Sequence, residues 1–375
     1  MKKICHLTSA HTRYDTRIFY KECTSLANAG YEVTLLVAEK KGSQPDIRNG
    51  VSIIPVEFEP KNRFDRILNS PKVMLKKALE VNADIYHFHD PELLQIALKL
   101  KRKGKKVIFD SHEDICGQIL GKKWIPRPFR PIIFIFYKFY SNSVFSKLDY
   151  LIGVTPFLVE KLKILNPSTE LITNYPILSL EENHIEISTH KGKSFCFAGG
   201  ITEQWNHETI LTALENIDAT YDLMGRVAPK YMGELQKHKS WYKVKYHGLV
   251  TQEEVKKRLS SCAVGLAVID YSDNTCGKIG TLGNTKLFEY MQAGLPVICT
   301  DFILWKEIIE RWNCGICIPP RDVKTLQKAM QYMIDNPDLA KEMGENGRRA
   351  VLHEFNWGIE EKKLISLYNE LVNNK

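Results

Sequence analysis

The chain contains no run of about 18 apolar residues, which excludes a membrane-spanning helix. Its first residues, MKKICHLTSAHTRYD, lack the long apolar core of a secretory signal. Of nine cysteines, only Cys314 and Cys317 stand as a CxxC pair. No second pair is spaced to complete a zinc site, so the cysteines read as small buried apolar residues of a reducing, cytoplasmic compartment. No GxGxxG follows the first apolar stretch, which argues against a dinucleotide site there. Acidic residues are absent from Ile115 to Leu148.

The residues that are present describe two domains. A length of 375 residues, 44% hydrophobic and 26% charged, suffices for two separate cores. The formal net charge of +8 suits phosphorylated substrates, an anionic membrane surface or nucleic acid without choosing among them. Lys3 to Thr8 reads as a strand, followed by a helix to about Ala29, a stop at Gly30 and a second strand from Tyr31 to Ala38. That βαβ order predicts a parallel sheet whose ligands lie at the strand C-termini. The first such loop carries His11, Arg13, Asp15 and Arg17, of which Asp15 is equally a helix N-cap. Further strands are expected at Val51–Val56, Ile85–Phe88 and Lys106–Phe109, with a helix around Lys72 to Val81. The strand ends HFHD (His87, His89, Asp90) and DSHED (Asp110 to Asp114, with His112) bring histidines and carboxylates to one sheet edge. No triad of ligands at metal spacing accompanies them, so no metal is expected.

The acid-free segment interleaves Lys122, Lys123, Arg127, Arg130, Lys138 and Lys147 with Trp124, Phe129, Phe134, Phe136, Tyr137 and Phe139. Cations beside aromatics suit a bilayer interface with anionic headgroups, and equally a core helix with a solvated edge. Residues 122–147 are thus a candidate peripheral membrane contact. No nucleic-acid recognition motif accompanies the patch, so no nucleic-acid partner is expected. Strands Tyr150–Val154 and Ile172–Ile177 close the first domain, and a polar linker follows. A second β/α series then begins at Phe195–Phe197, which ends in Gly199-Gly200. It continues through Tyr221–Met224 (ending in Gly225-Arg226), Val244–Tyr246 (ending in His247-Gly248) and Ala263–Val268. Two doubly wound sheets imply an interdomain cleft for a ligand. The stretch GTLGNTKLFEYMQAGLPVICTD, Gly280 to Asp301, is a glycine-rich loop, a helix from Lys286 and a buried strand. Lys286 sits against the positive end of its own helix dipole, which invites an anionic ligand; a surface Lys and Glu on an ordinary amphipathic helix is the alternative.

These pieces together resemble glycosyltransferase family 4, retaining enzymes of the GT-B architecture. The resemblance covers nearly the whole chain and rests on NTKLFEYMQAGLPVI, on Met343 to Arg348 and Phe355-Asn356-Trp357, and on HFHD and DSHED. It implies two Rossmann-like α/β domains facing a central cleft. The expected division is an acceptor-binding domain over 1–180, a linker over 181–193, a nucleotide-sugar domain over 194–356, and a helix over 357–375 returning to the first domain. It also implies roles. Glu289 would bond the nucleotide ribose, and the loop of Gly283, Asn284, Thr285 and Lys286 would face the diphosphate and sugar. His112 would lie beside the donor sugar, and the end at Gly248 near the base. The family's second glutamate, eight positions before the first, is replaced by Thr281, and its usual arginine after the first strand of the second domain by Gly200 beside Gly199. Charge for the diphosphate then falls to Lys286, with Arg226 and Lys278 behind it.

The implied reaction is retaining transfer of a sugar from a nucleoside-diphosphate donor to a glycan or lipid-linked acceptor in bacterial surface polysaccharide assembly. It needs no metal or other cofactor, because Lys286 and backbone amides carry the positive potential. His11, Asp15, Arg17, His89 and Asp90 form the expected acceptor side. The expected location is cytoplasmic, at the inner face of the membrane. A sugar-nucleotide epimerase using the DSHED carboxylates and a non-catalytic nucleotide-sugar-binding subunit are the alternatives.

Overall fold

A computed structural model of the chain describes residues 2–122, 125–178 and 192–373. Lys123 and Trp124 of the basic segment, and all but the last two residues of the expected linker, lie outside these. The chain divides into two compact units, residues 1–174 with 357–375 and residues 175–356.

The first unit holds eight strands: β1 Lys3–Thr8, β2 Glu32–Glu39, β3 Asp46–Arg48, β4 Val51–Glu57, β5 Ile85–Phe88, β6 Lys106–Ser111, β7 Tyr150–Gly153 and β8 Thr169–Leu171. Their order is β3-β4-β2-β1-β5-β6-β7-β8, parallel throughout except for the antiparallel edge strand β3. The winding reverses between β1 and β5, the position where doubly wound sheets bind ligands. Both faces are covered, and the strands are accordingly runs of Val, Ile, Leu and Phe. The helix Trp357–Asn373 belongs to this unit. Its Leu364, Leu367, Tyr368 and Leu371 are buried with Ile4, Ile85 and Ile108 of the sheet. Trp357 Nε1 donates to Ser25 Oγ at 2.9 Å.

Three local expectations need correction. The helix after the first strand is wound as a π-helix over Thr16–Cys23, with only Thr24–Asn28 α-helical. Asp15 caps it by accepting from the amides of Arg17 and Ile18. The helix placed around Lys72 starts at Arg63, because Asn62 Oδ1 accepts from the Asp65 amide and supplies an N-cap. Ile172–Ile177 is not a strand. The last strand is β8, and beyond it the Thr173 amide turns to Glu360 Oε2 at 2.8 Å while Pro176 has no donor to offer a sheet.

The second unit has a six-stranded, wholly parallel sheet: β9 Ser194–Ala198, β10 Thr220–Met224, β11 Val244–Gly248, β12 Val264–Ala267, β13 Val297–Thr300 and β14 Gly315–Ile318. The order β11-β10-β9-β12-β13-β14 reverses between β9 and β12. Trp305, Tyr221, Tyr290, Phe195, Phe197 and Phe288 are among its fully buried side chains. Each is worth about 1.5–3 kcal/mol of burial or more, so this core is well founded.

Candidate functional site

In the second unit, β9 runs out at the sheet's reversal into Gly199-Gly200. The helix Lys286–Gln292 reaches the same place. Lys286 Nζ lies 4.6 Å from the centre of the Trp205 ring and 5.4 Å from that of Phe197. A Cβ on Gly199, whose φ is 143°, would meet Nζ at 2.5 Å, so only glycine lets the ammonium approach the strand end. Burial holds the Lys286 ammonium below the ordinary lysine value, and the nearby Glu289 charge only partly offsets it. Among the described residues no carboxylate pairs with Lys286. Among the same residues Glu289, one turn along, makes no side-chain hydrogen bond or ion pair either. A half-buried cation and a carboxylate one turn apart, neither with a hydrogen-bonded ion-pair partner among the described residues, suit a ligand with an anionic end and hydroxyl groups.

The loop before them is closed by its own bonds. Thr281 Oγ1 accepts from the Gly283 amide at 3.0 Å, and the Thr281 carbonyl accepts from Trp305 Nε1 at 2.8 Å. Asn284 Oδ1 accepts from the Lys286 amide at 3.3 Å. Thr285 makes no side-chain cap bond. Of the weaker candidates, Arg226 is exposed, and its carbonyl accepts from the Ile201 amide. The Lys278 ammonium lies 5.4 Å from the Tyr271 ring centre. The Gly248 carbonyl accepts from the Gly225 amide at 2.7 Å, and His247 beside it is 2.9 Å from Asp222.

In the first unit the reversal between β1 and β5 carries a dense polar centre. His6 pairs in register with His87, and the period of two puts His89 on the same face as His87. Asp110 of the neighbouring β6 joins them: His89 Nδ1 is 3.4 Å from its Oδ2. Arg17 forks onto Asp110 through Nε at 2.7 Å and Nη2 at 2.9 Å, and its Nε lies 3.1 Å from Glu22 Oε1. Burial pushes the Asp110 carboxyl up, but the Arg17 charge and the bond to His112 override it and hold it well below the usual range. His112 Nε2 is 2.9 Å from Asp110 Oδ2. Burial drives His6, His87 and His89 toward the neutral form, His89 down to about 4. Asp90 accepts from Thr8 Oγ1 at 2.8 Å and from the Ser9 amide at 2.6 Å, tying β1 to β5 at their ends.

Residues 181–350 match the family model described as glycosyl transferases group 1, and residues 16–172 the model described as glycosyltransferase family 4. The chain is a glycosyltransferase of family 4. Its fold is the GT-B architecture of solved glycosyltransferases. The sucrose-phosphate synthase of Thermosynechococcus elongatus is matched over the whole of both chains, with a TM-score of 0.74 at 16% identity. WaaG, a glycosyltransferase involved in lipopolysaccharide biosynthesis, is matched over 97% of this chain and 99% of its own, with a TM-score of 0.72 at 13% identity. Anabaena HepE in complex with UDP and glucose is matched over 99% and 100%, with a TM-score of 0.71 at 11% identity. In sequence, an MMP α-(1→4)-mannosyltransferase of Mycolicibacterium hassiacum is 24% identical over 85 residues, which are 22% of this chain and about a fifth (21%) of that relative.

In this transferase the residues expected on the acceptor side lie at two depths. Arg17, His89 and Asp90 are buried within the network. His11, bonded toward Asp15 and Asp90, keeps 31% of its side chain exposed and Asp15 27%, while His112, expected beside the donor sugar, keeps 21%. The aromatic bed of Lys286, made by Phe197 and Trp205, has no counterpart in the sequence reading. Its signal is Trp205 standing in GGITEQWNHE where a cation is missing. Glu22 and His6 were missed as well, although a histidine within the apolar run of β1 marks one of them, whereas Asp110 was read at the DSHED strand end.

Proposed function

We propose that this transferase retains anomeric configuration and moves a sugar from a nucleoside-diphosphate donor to a glycan or lipid-linked acceptor in bacterial surface polysaccharide assembly. The observation that carries the donor reading is the pair Lys286 and Glu289 on one face of a short helix, a cation and a carboxylate with no close ion-pair partner among the described residues. A diphosphate at Lys286 Nζ restores the charge that burial disfavours, and Glu289 accepts from ribose hydroxyls. The complex of the Anabaena neighbour with UDP and glucose supports such a donor, and the lipopolysaccharide role of WaaG supports the setting.

In the reaction the acceptor oxygen bonds to the anomeric carbon while the bond from that carbon to the diphosphate oxygen breaks. The departing diphosphate takes the acceptor's proton on the same face. The sugar gains oxocarbenium-like charge as the phosphates gain negative charge, and Lys286 stabilises the latter without calling for a metal there. His112, oriented by Asp110, contributes a positioned ring to the sugar, and His11 with Asp15 meets the acceptor.

A membrane-borne acceptor accords with the helix Arg130–Phe145. Phe136 and Phe139 are each 74% exposed there, with Ile132 and Ile135 also open and Lys138 and Arg127 alongside. No helix among the described residues is long and apolar enough to cross a membrane, so this contact is peripheral.

A thermal-shift panel of nucleotide sugars tests the donor, since a tight ligand raises the melting temperature by mass action. Silence across all nucleotide sugars would remove the reading. Proton NMR of the product's anomeric centre tests retention, and an inverted product would overturn it.

A further inference from the structure

We propose that His6, Glu22, His87 and His89 form a closed, structural binding site for a divalent transition-metal ion, with Zn²⁺ as the ion of choice. All four side chains are buried, and one ligand atom from each lies within 4.8 Å of the others. Glu22 Oε2 is 3.9 Å from His6 Nδ1, 4.0 Å from His87 Nε2 and 3.8 Å from His89 Nε2. His6 Nδ1 and His89 Nε2 are 3.0 Å apart. Tetrahedral bonds of about 2.0–2.1 Å imply ligand-to-ligand edges of about 3.3 Å, so small side-chain shifts bring the set to that geometry.

Hydrogen bonding within the protein leaves this cluster unfinished. His87 Nε2 and both carboxylate oxygens of Glu22 are fully buried without a hydrogen-bond partner, although Arg17 Nε stands 3.1 Å from Oε1. Among the described residues an ionised Glu22 has no hydrogen-bond donor at Oε2, and burial with the neighbouring Asp110 carboxylate, which can accept from a protonated Glu22, pushes this carboxyl up toward the neutral form. Buried polar groups left unpaired are costly, and a buried charge more so. No choice of histidine tautomers reaches Oε2, because the ring nitrogens of His6, His87 and His89 stand 3.8 Å or more from it.

A metal gives His87 Nε2 and Glu22 Oε2 a partner together. With His6 Nδ1, His87 Nε2 and His89 Nε2 turned inward as lone pairs, each ring keeps its proton on the outer nitrogen. Those outer atoms all have acceptors. His87 Nδ1 is 2.8 Å and His6 Nε2 3.3 Å from the Tyr368 hydroxyl, while His89 Nδ1 is 3.4 Å from Asp110 Oδ2. Oriented imidazoles whose far nitrogens donate to oxygen are the usual outer arrangement of metal-bound histidines. Three neutral imidazoles and one carboxylate suit Zn²⁺ above Mg²⁺ or Ca²⁺, which prefer oxygen ligands. The second group of ligand-type residues, His89, Asp110 and His112, is a poorer candidate, since the Asp110 oxygens are already bonded by Arg17 and His112.

The site would join β1 and β5 to the π-helix at Glu22, under Tyr368 of the last helix. It has no open coordination position, so its role is to stabilise the first unit. It revises the expectation of a metal-free protein for this half of the chain, and leaves Lys286 as the charge at the donor.

Elemental analysis of the full-length chain tests this, after purification without chelator, incubation with ZnCl₂ and desalting. The result expected is about one equivalent of zinc per chain, held through desalting. Less than about a tenth of an equivalent after loading overturns the site. Cobalt substitution identifies the ligands: visible d–d bands without thiolate charge transfer support His and Glu, whereas a thiolate band moves the metal to cysteine and overturns the assignment. Glu22→Gln and His87→Gln are each expected to lose the bound equivalent. If either fails to fold, wild-type stoichiometry and the cobalt spectrum still decide the question.

Discussion

Lys286 Nζ rests 4.6 Å from the centre of the Trp205 ring, with the Gly199 backbone at its other side. Two aromatic faces hold the ammonium by its charge without neutralising it, and thereby keep it available to a ligand. An acidic partner would fix the side chain equally well and cancel the field it offers to a phosphate. This chain therefore arrives at a positioned cation by a route that needs no residue charge at Gly199 or Gly200.

Lys286→Ala should lower the rate of transfer about 10²–10³-fold, the usual effect of removing one positioned group that stabilises transition-state charge. Lys286→Arg should recover little, because the guanidinium fork is too wide for the space between the rings and Gly199. Initial rates with a matched donor, beside an unchanged melting temperature, are the measurement. Near-normal turnover in Lys286→Ala would remove the donor site argued above.

Gly199→Ala is expected to act through Lys286. The added methyl would stand 2.5 Å from Nζ, and φ of 143° is a conformation alanine adopts only under strain. The lysine must leave its aromatic bed, so donor affinity should fall at least tenfold, about 1.4 kcal/mol. Isothermal titration with the donor or its nucleoside diphosphate reads this directly. The contrast is Gly200→Ala, where nothing lies within 4 Å of a new Cβ and affinity should hold.

The same pair shows what a sequence discloses and what it hides. Lys286 was legible because a lysine in the first turn of a helix opposes the dipole and needs a reason. The two parallel sheets were legible from alternating strand and helix patterns, and HFHD and DSHED from their matched strand ends. Trp205 was hidden because the contact joins segments some 80 residues apart through side-chain packing, for which no local pattern exists. Glu22 was hidden for a different reason. An α-helical period misplaces it, and only the i→i+5 winding of Thr16–Cys23 turns Arg17, Lys21 and Glu22 inward together. The helix Arg130–Phe145 left two readings open, core or interface; its buried residues are Ser141, Val144 and Phe145, so most of it is not core.

Arg17→Ala should destabilise the first unit by about 3–5 kcal/mol, since it strands the Asp110 and Glu22 carboxylates without their shared cation. Arg17→Lys should recover part of this loss by supplying a charge without the fork. Urea unfolding followed by far-ultraviolet circular dichroism separates the two. A loss under about 1 kcal/mol in Arg17→Ala would show that the network is not bound together by its ion pair.

Phe136→Ser with Phe139→Ser should reduce binding to vesicles containing anionic lipid at least tenfold, because each exposed ring contributes about 1.5–3 kcal/mol when fully buried. Both side chains are solvent-exposed, so melting temperature should not change. Flotation with and without anionic lipid is the measurement, and equal binding by wild type and double variant would exclude this helix as the contact.

His207 makes stability in the second unit depend on pH. It is fully buried, with Nδ1 2.9 Å from the Tyr221 hydroxyl, the Phe197 ring edge-on at 4.7 Å and Nε2 unpaired. Burial, with a smaller contribution from the Lys286 charge, pushes its pKa down to about 3. An unfolded chain binds a proton on this ring below the ordinary value of 6.5, whereas the folded one does so only near 3. Between those values the unfolded state holds more protons, so stability rises with pH and is lost as pH falls from 6.5 toward 3. The slope is at most about 1.4 kcal/mol per pH unit, the value for one proton. His207→Gln keeps a polar partner for Tyr221 and removes the titration. Its urea midpoint should lie below wild type at pH 7.5, and the difference should shrink or reverse by pH 4.5. Parallel midpoint-versus-pH curves for the two proteins would show that His207 does not titrate in this way.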